Sequence, residues 1–242
     1  MKILVGNWKS NGTRKDKQRL LTALNKVKTK TKIILCLPFT LLCGDKTKIS
    51  LGAQDISLYP NGSYTGDISG AMLKDAGVKY VIVGHSDRRN HHHETNAIVK
   101  AKATIAIQNG ITPIVCIGET ESDRKSGKTK SVVKKMLLES IPDDGNFIIA
   151  YEPRWAIGTG KTPTKKEVES IHNMIFDILH SINRARTPIL YGGSIKASNV
   201  NKFTDIPHVD GFMVGGASLK PETFLPIIKS MNQIYNDKKH RI

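Results

Sequence analysis

A chain of 242 residues, 39% of them hydrophobic, can bury a large core and suits one (β/α)8 barrel of roughly 250 residues better than two domains. Its 37 Lys and Arg against 21 Asp and Glu give a formal charge of +16, which favours anionic partners such as phosphorylated metabolites, nucleic acid or acidic membrane surface. The basic residues are dispersed, and the denser spots, Lys15 to Arg19 and Lys26 to Lys32, fall beside apolar residues at helical spacing. Solvated helix faces are therefore expected there, not a nucleic-acid footprint.

Eight short β-rich runs alternate with helical patterns, which argues for a parallel sheet covered by helices, and eight is the number that closes a barrel. The first run, near Ile3 to Asn7, follows an apolar start too short for a signal peptide, and nowhere do about 18 apolar residues run together. A soluble intracellular protein with no membrane partner is expected. That run ends in Asn7-Trp8-Lys9. A lysine at such a strand end either presents its ammonium to a substrate phosphate or developing oxyanion, or is one more surface lysine in a lysine-rich chain. Leu20, Leu21, Leu24 and Val27 then recur with helical period.

Runs near Lys32 to Leu37 and Ile49 to Gln54 follow, and the Pro, Gly and Asn of Tyr59 to Asp67 mark a projecting loop. Cys36, Cys43 and Cys116 cannot all pair within the chain, and two of them sit in apolar runs, as suits a reducing cytosol. The run near Tyr80 to Gly84 leads into His85-Ser86-Asp87-Arg88-Arg89, a histidine capping a hydrophobic run at a charge cluster, structural or catalytic on the residues alone. His91-His92-His93 tempts a metal reading. Adjacent residues point in different directions and lack i, i+4 spacing, so no metal is expected.

After the run near Ile111 to Cys116, Cys116 reads as a packed or mildly supportive thiol. The run Phe147 to Glu152 lets Glu152 emerge where the strand stops, and Pro153 opposes a helical continuation. In parallel α/β proteins, chemistry sits at that end of the strands. Gly158 and Gly160 allow backbone N–H groups to approach a ligand, while Trp155 and Ile157 supply apolar weight for closure. Two readings stand. One is a base with a lid made of Pro153, Arg154, Trp155, Ala156, Ile157, Gly158, Thr159, Gly160 and Lys161; the other is an ordinary loop behind a strand-capping glutamate.

Thr164-Lys165-Lys166-Glu167 reads as a capping box that opens a helix with Ile171, Met174, Ile175, Ile178 and Leu179 on one face. The runs near Ile189 to Tyr191 and Val209 to Val214 end in Gly192-Gly193-Ser194 and Gly215-Gly216. These are either plain turns or, after strands seven and eight, a backbone cradle for phosphate. Neither G-x-x-x-x-G-K-[ST] nor G-x-G-x-x-G occurs, so no nucleotide or dinucleotide cofactor is expected. Thr223 to Tyr235 reads as the closing helix and Asp237 to Ile242 as a frayed end.

Strings along the whole chain carry a resemblance: Asn7-Trp8-Lys9-Ser10-Asn11-Gly12, Gly84-His85-Ser86-Asp87-Arg88-Arg89, Cys116-Ile117-Gly118-Glu119, the Tyr151 to Lys161 stretch, Tyr191-Gly192-Gly193-Ser194 and Gly211 to Ser218. In this order they resemble the triosephosphate isomerase family. The resemblance implies a TIM barrel that interconverts dihydroxyacetone phosphate and D-glyceraldehyde 3-phosphate without cofactor or metal, as a cytoplasmic homodimer with no nucleic-acid partner. Glu152 would be the base, and Lys9, with Asn7, the electrostatic catalyst. His85 would be a neutral electrophile, its pKa lowered by a helix N-terminus, and this family is itself the standard example of such tuning. Gly158, Ser194, Gly215 and Gly216 would hold the phosphate, with Asn7 and Lys9 beside it, while Ser86, Asp87 and Cys116 give support.

Four departures stand out. Asp87 replaces a glutamate one methylene longer, so a shifted backbone or a bridging water is expected; Arg154 replaces a small apolar residue in the lid, and Pro163 a small residue at its far hinge. His92-His93 replaces Phe-Gly beside the place where the partner's projecting loop would dock. Of the alternatives, a sugar-phosphate lyase or epimerase would need a Schiff-base lysine inside the barrel or a metal cluster. A basic nucleic-acid-binding protein would reveal itself by steep salt dependence.

Overall fold

The computed structural model describes residues 2–42, 47–157 and 161–239, with side chains through 232. Strands β1 (Ile3–Asn7), β2 (Lys32–Cys36), β3 (Ser50–Ala53), β4 (Tyr80–Val83), β5 (Thr112–Ile117), β6 (Ile148–Tyr151), β7 (Ile189–Tyr191) and β8 (Gly211–Val214) pair in chain order, all parallel. β8 returns to β1 through Ile3↔Gly211 to Gly6↔Val214 and closes a (β/α)8 TIM barrel. Helices α1 (Arg14–Asn25), α2 (Gly70–Asp75), α3 (Ser86–His91), α4 (Asn96–Gln108), α5 (Glu121–Lys125), α6 (Thr129–Ser140), α7 (Lys165–Ser181) and α8 (Pro221–Lys239) cover the outside.

The period of two along each strand divides the core. Ile3, Val5, Ile34, Cys36, Tyr80, Ile82, Ile114, Cys116, Ile148, Ala150, Leu190 and Met213 fill the barrel interior. Their neighbours, such as Leu4, Leu35, Val81, Val83 and Val115, face the helices in a second, larger cluster. Burying each such side chain contributes about 1.5–3 kcal/mol, which sets strand register as well as stability. Because every strand points the same way, all eight C-terminal ends meet at one rim.

Several strands stop short of the expected bounds, and the trimming matters. β3 ends at Ala53 and β6 at Tyr151, so Gln54 and Glu152 stand clear of the ladder with their side chains at the rim. The Thr164 capping box forms as expected. α8 begins at Pro221, ahead of the expected Thr223, because proline suits the first helical turn. It also runs through Lys239, beyond the expected onset of fraying at Asp237, while Cys43 lies outside the described residues.

α7 is tied to the barrel by His172, fully buried with its ring edge-on to Tyr151 at 5.9 Å and to Tyr191 at 6.4 Å. Nδ1 lies 3.0 Å from the His208 carbonyl, which can only accept, so Nδ1 carries the proton and the ring is neutral. Burial pulls its pKa down to about 4. A histidine whose folded value lies below the unfolded value of about 6.5 adds stability near neutrality that is lost as pH falls through that range. The urea midpoint should therefore fall more steeply between pH 6.5 and about 4.5 in the wild type than in a His172→Gln variant; parallel profiles would contradict this.

The seam itself depends on one glycine. A Cβ at Gly211 would sit 1.8 Å from the Ile3 carbonyl oxygen, a clash that only backbone movement relieves. Gly211→Ala should lower the unfolding free energy by about 1–3 kcal/mol or more, read from the shift in urea midpoint, and an unchanged midpoint would refute the close approach.

Candidate active site

Glu152 is one residue past β6 and only 3% exposed, yet its carboxylate is not isolated. His85 Nε2 lies 3.1 Å from Oε1, and the Ser86 backbone N–H donates to Oε2 at 3.3 Å. Its position is imposed by glycines on either side. A Cβ on Gly118 would lie 1.7 Å from the Glu152 carbonyl oxygen, and one on Gly192 would lie 2.9 Å from Glu152 Cγ. The Glu152 N–H also donates to the Ile117 carbonyl at 2.8 Å.

His85 caps the N-terminus of α3, where its Nδ1 accepts the Asp87 N–H at 3.0 Å. That bond leaves Nδ1 unprotonated and puts the ring proton on Nε2, facing the carboxylate. The expected neutral tautomer is present, but the expected depressed pKa is not. Burial does pull the value down; the Glu152 carboxylate against Nε2 more than offsets it, and the net shift is upward.

Across the mouth, Lys9 adopts φ +52°, a left-handed conformation uncommon for a residue with a side chain. It is held there from both ends. Its N–H donates to Asn7 Oδ1 at 3.0 Å, and its carbonyl accepts from Gln54 Nε2 at 2.9 Å, while Gln54 also bonds the Cys36 carbonyl at 3.1 Å. The preceding Trp8 is buried with Nε1 on the Ser218 carbonyl at 3.1 Å. Strain fixed by so many contacts is a mark of functional geometry.

Asp87 reaches Lys9 directly, Oδ2 to Nζ 3.0 Å, so no bridging water is needed. The shorter side chain suffices because Asp87 sits in the first turn of α3, not on the strand end. Burial pushes its pKa up, but His85 and the Lys9 ammonium outweigh this and hold the carboxyl below its usual range. With the two side chains 33% and 48% exposed, the pair contributes little stability and mainly directs the ammonium. Cys116 is a buried, protonated thiol. Burial, and then the Glu152 carboxylate, hold its pKa well above the ordinary value, so it packs and does not react.

The first part of the lid is anchored through Glu119, a loop residue that the sequence marked only by its motif. Glu119 accepts from Trp155 Nε1 at 2.8 Å and from the Tyr151 hydroxyl at 3.2 Å, and the Arg124 guanidinium lies 4.1 Å above the Trp155 ring. Arg154 donates to the Asn90 side chain on α3, and Lys161 pairs with Glu121 at 2.9 Å. Pro153 and Ala156 are buried and Ile157 faces the cavity, whereas Gly158, Thr159 and Gly160 lie outside the described residues. Beneath α3 is a group that composition did not reveal. Arg88 and Lys102 each bond both Asp55 and Glu94, at 2.6–2.9 Å, and tie the base of the projecting loop to α3 and α4.

Asn7, Lys9, His85, Glu152, Ser194, Gly215 and Gly216 line one cavity of about 950 Å3 at the C-terminal rim. A Cβ on Gly216 would meet nothing within 4 Å, so the backbone there is open to the cavity. The arrangement gives one carboxylate, an imidazole Nε2–H donor and an ammonium around a small space, with glycine backbone from the ends of β7 and β8 beside them. Among the described residues no group of three or more His, Cys, Asp or Glu could hold a metal ion, and no helix is long and apolar enough to cross a membrane.

The family model for triosephosphate isomerase matches residues 2–231. The triosephosphate isomerase of Albidiferax ferrireducens is 45% identical over 242 residues, covering 95% of this chain and 98% of that one. That of Coxiella burnetii is 42% identical over 251 residues, covering 96% and 98%. The crystal structure of triosephosphate isomerase from Bartonella henselae superimposes with a TM-score of 0.85 at 38% identity, covering 93% of this chain and 97% of that one. With the barrel, the order of its motifs and this likeness along nearly its whole length, the chain belongs to the triosephosphate isomerase family.

Proposed function

We propose that Glu152 is the one base with which this chain interconverts dihydroxyacetone phosphate and D-glyceraldehyde 3-phosphate. The observation that carries the reading is a carboxylate 3% exposed at the barrel rim, within 3.1 Å of a histidine whose proton is on the facing nitrogen. Isomerisation between adjacent carbons requires a base that removes a proton from one and returns it to the other, so a single carboxylate able to reach both suffices. His85 Nε2–H and the Lys9 ammonium stabilise the enediolate oxygens, with Asn7 holding the Lys9 backbone. Donors fixed before the charge develops need no reorganisation when it appears.

Ser194, Gly215 and Gly216, at the ends of the neighbouring strands β7 and β8, bind the phosphate through backbone N–H groups, and the family resemblance adds Gly158. Lid closure then keeps water from the intermediate. Ser86 steadies the base, Asp87 directs Lys9 and Cys116 packs behind Glu152. The reaction belongs to glycolysis and gluconeogenesis in the cytoplasm and needs no cofactor. The chain works as a homodimer. In support, Tyr59 and Tyr64 stack at 4.2 Å on the projecting loop and are 47% and 41% exposed, an aromatic face fit for a partner subunit. His93, where the family has glycine, keeps a left-handed φ of +55°.

A coupled assay that consumes the ketose formed from glyceraldehyde 3-phosphate tests the activity, with two variants testing the roles. Glu152→Gln should fold and lose about 10²- to 10⁴-fold in kcat. Retention of more than about a tenth of wild-type kcat would leave the base less than roughly 1.4 kcal/mol of barrier to account for, and would reject it. Asp87→Glu should retain activity, while Asp87→Ala should lose a large part of kcat/KM with the Lys9 ammonium no longer directed; full activity in the alanine variant would remove that role.

A further inference from the structure

The opposite, N-terminal end of the barrel carries a second cavity, of about 660 Å3, far from Glu152. Its floor is carbon: Ile3, Tyr80, Phe147 and Ile148 are buried there at strand starts, with Pro188 beside them. Its polar lining is one-sided. Lys32, Arg184, Arg186 and His180 face it, and no carboxylate is among the residues that line it.

Lys32 is the telling residue. It shares the inward phase of Ile34 and Cys36 on β2, so the lowest layer of the barrel has a lysine where an aliphatic side chain would pack. Its ammonium lies 4.9 Å over the Tyr80 ring, and among the described residues neither Lys32 nor Arg186 has a carboxylate partner. Arg184 is already held in place, donating to the Asp143 and Gly145 carbonyls with its guanidinium 5.9 Å from the Phe147 ring. Of the acids at this end, Asp144 is fully exposed and 3.9 Å from Arg184, and the Asp210 carboxylate accepts the Ile189 N–H at 2.9 Å. A half-buried lysine and two arginines with no lining acid make a local positive field above a flat apolar floor.

We propose that this basal cavity is a binding site for a phosphorylated small molecule with an apolar body, which lies against the carbon floor while its phosphates sit between Lys32 and Arg186. The barrel core separates it from the rim, so occupancy and turnover are independent. Arginine and lysine around phosphate give charge-assisted bonds, and the apolar body adds contact that inorganic phosphate lacks.

Adenosine 5′-diphosphate is the probe, measured by equilibrium dialysis in about 0.1 M salt, where long-range attraction to a +16 chain is screened, and with saturating triose phosphates present to fill the rim site. The proposal predicts one equivalent bound, about tenfold weaker binding in each of Lys32→Met and Arg186→Ala, and unchanged isomerase kcat/KM in both. Lys134→Met, which removes a charge from an exposed position on α6, should bind like the wild type. Pyrophosphate should bind about tenfold more weakly than the nucleotide. No binding up to millimolar probe, displacement by triose phosphate, an equal loss in Lys134→Met, or pyrophosphate binding as tightly as the nucleotide would each overturn it.

Discussion

The structure depends on keeping one buried carboxylate ready to accept a proton without neutralising it or letting it pair too strongly. Glu152 is 3% exposed, so its carboxylate depends on the partners the fold brings to it. The Ser86 N–H and His85 Nε2 are the donors that meet it, both from the start of α3. That arrangement exists only because β4 and β6 deliver their ends to the same rim and because Gly118 and Gly192 let the Glu152 segment approach without a Cβ in the way. The glycines of these motifs are thus part of the base's environment.

The second half of the site is held by strain. Lys9 sits in a left-handed conformation that its own intrinsic preference opposes, and Asn7, Gln54 and Trp8 supply the bonds that keep it there. Asp87 completes the link: one residue of α3 gives its N–H to His85 and its carboxylate to Lys9. Base, imidazole and ammonium are therefore coupled through a single helical turn, and the cluster of Asp55, Arg88, Glu94 and Lys102 fastens that turn to the loop that projects from the barrel. Glu94 and Lys102 are buried, and buried ions are costly unless their partners stay, so the cluster also makes the geometry intolerant of change.

Much of this was legible in the sequence, for a physical reason. Closed parallel sheets need a period-two apolar run and a stop, which put Lys9, His85 and Glu152 at strand ends, but position alone left each open between a structural and a chemical role, and the motif resemblance supplied the roles. What was hidden depended on three-dimensional reach. Gln54 looked like a strand's last residue until β3 ended one position earlier, and Glu119 gave no hint that it would receive both Tyr151 and Trp155. Asp87 was expected to fall short for want of a methylene, yet from the first turn of α3 it reaches Lys9 at 3.0 Å. The direction of the His85 shift was misjudged likewise, since the helix terminus was visible in the sequence and the Glu152 contact was not. Lys32 looked like part of a solvated basic run, and only the strand register shows it pointing into the barrel.

The central claim is that a single carboxylate, Glu152, carries the proton between neighbouring carbons. Running the reaction from dihydroxyacetone phosphate in deuterium oxide and locating the label in the aldehyde product by NMR tests this most directly. A base that picks up and returns a proton exposes it to exchange, so the account predicts solvent deuterium at the carbon that receives it, and loss of that incorporation in Glu152→Gln. Undiminished labelling and turnover in the glutamine variant would contradict the account and mean that another residue is the base.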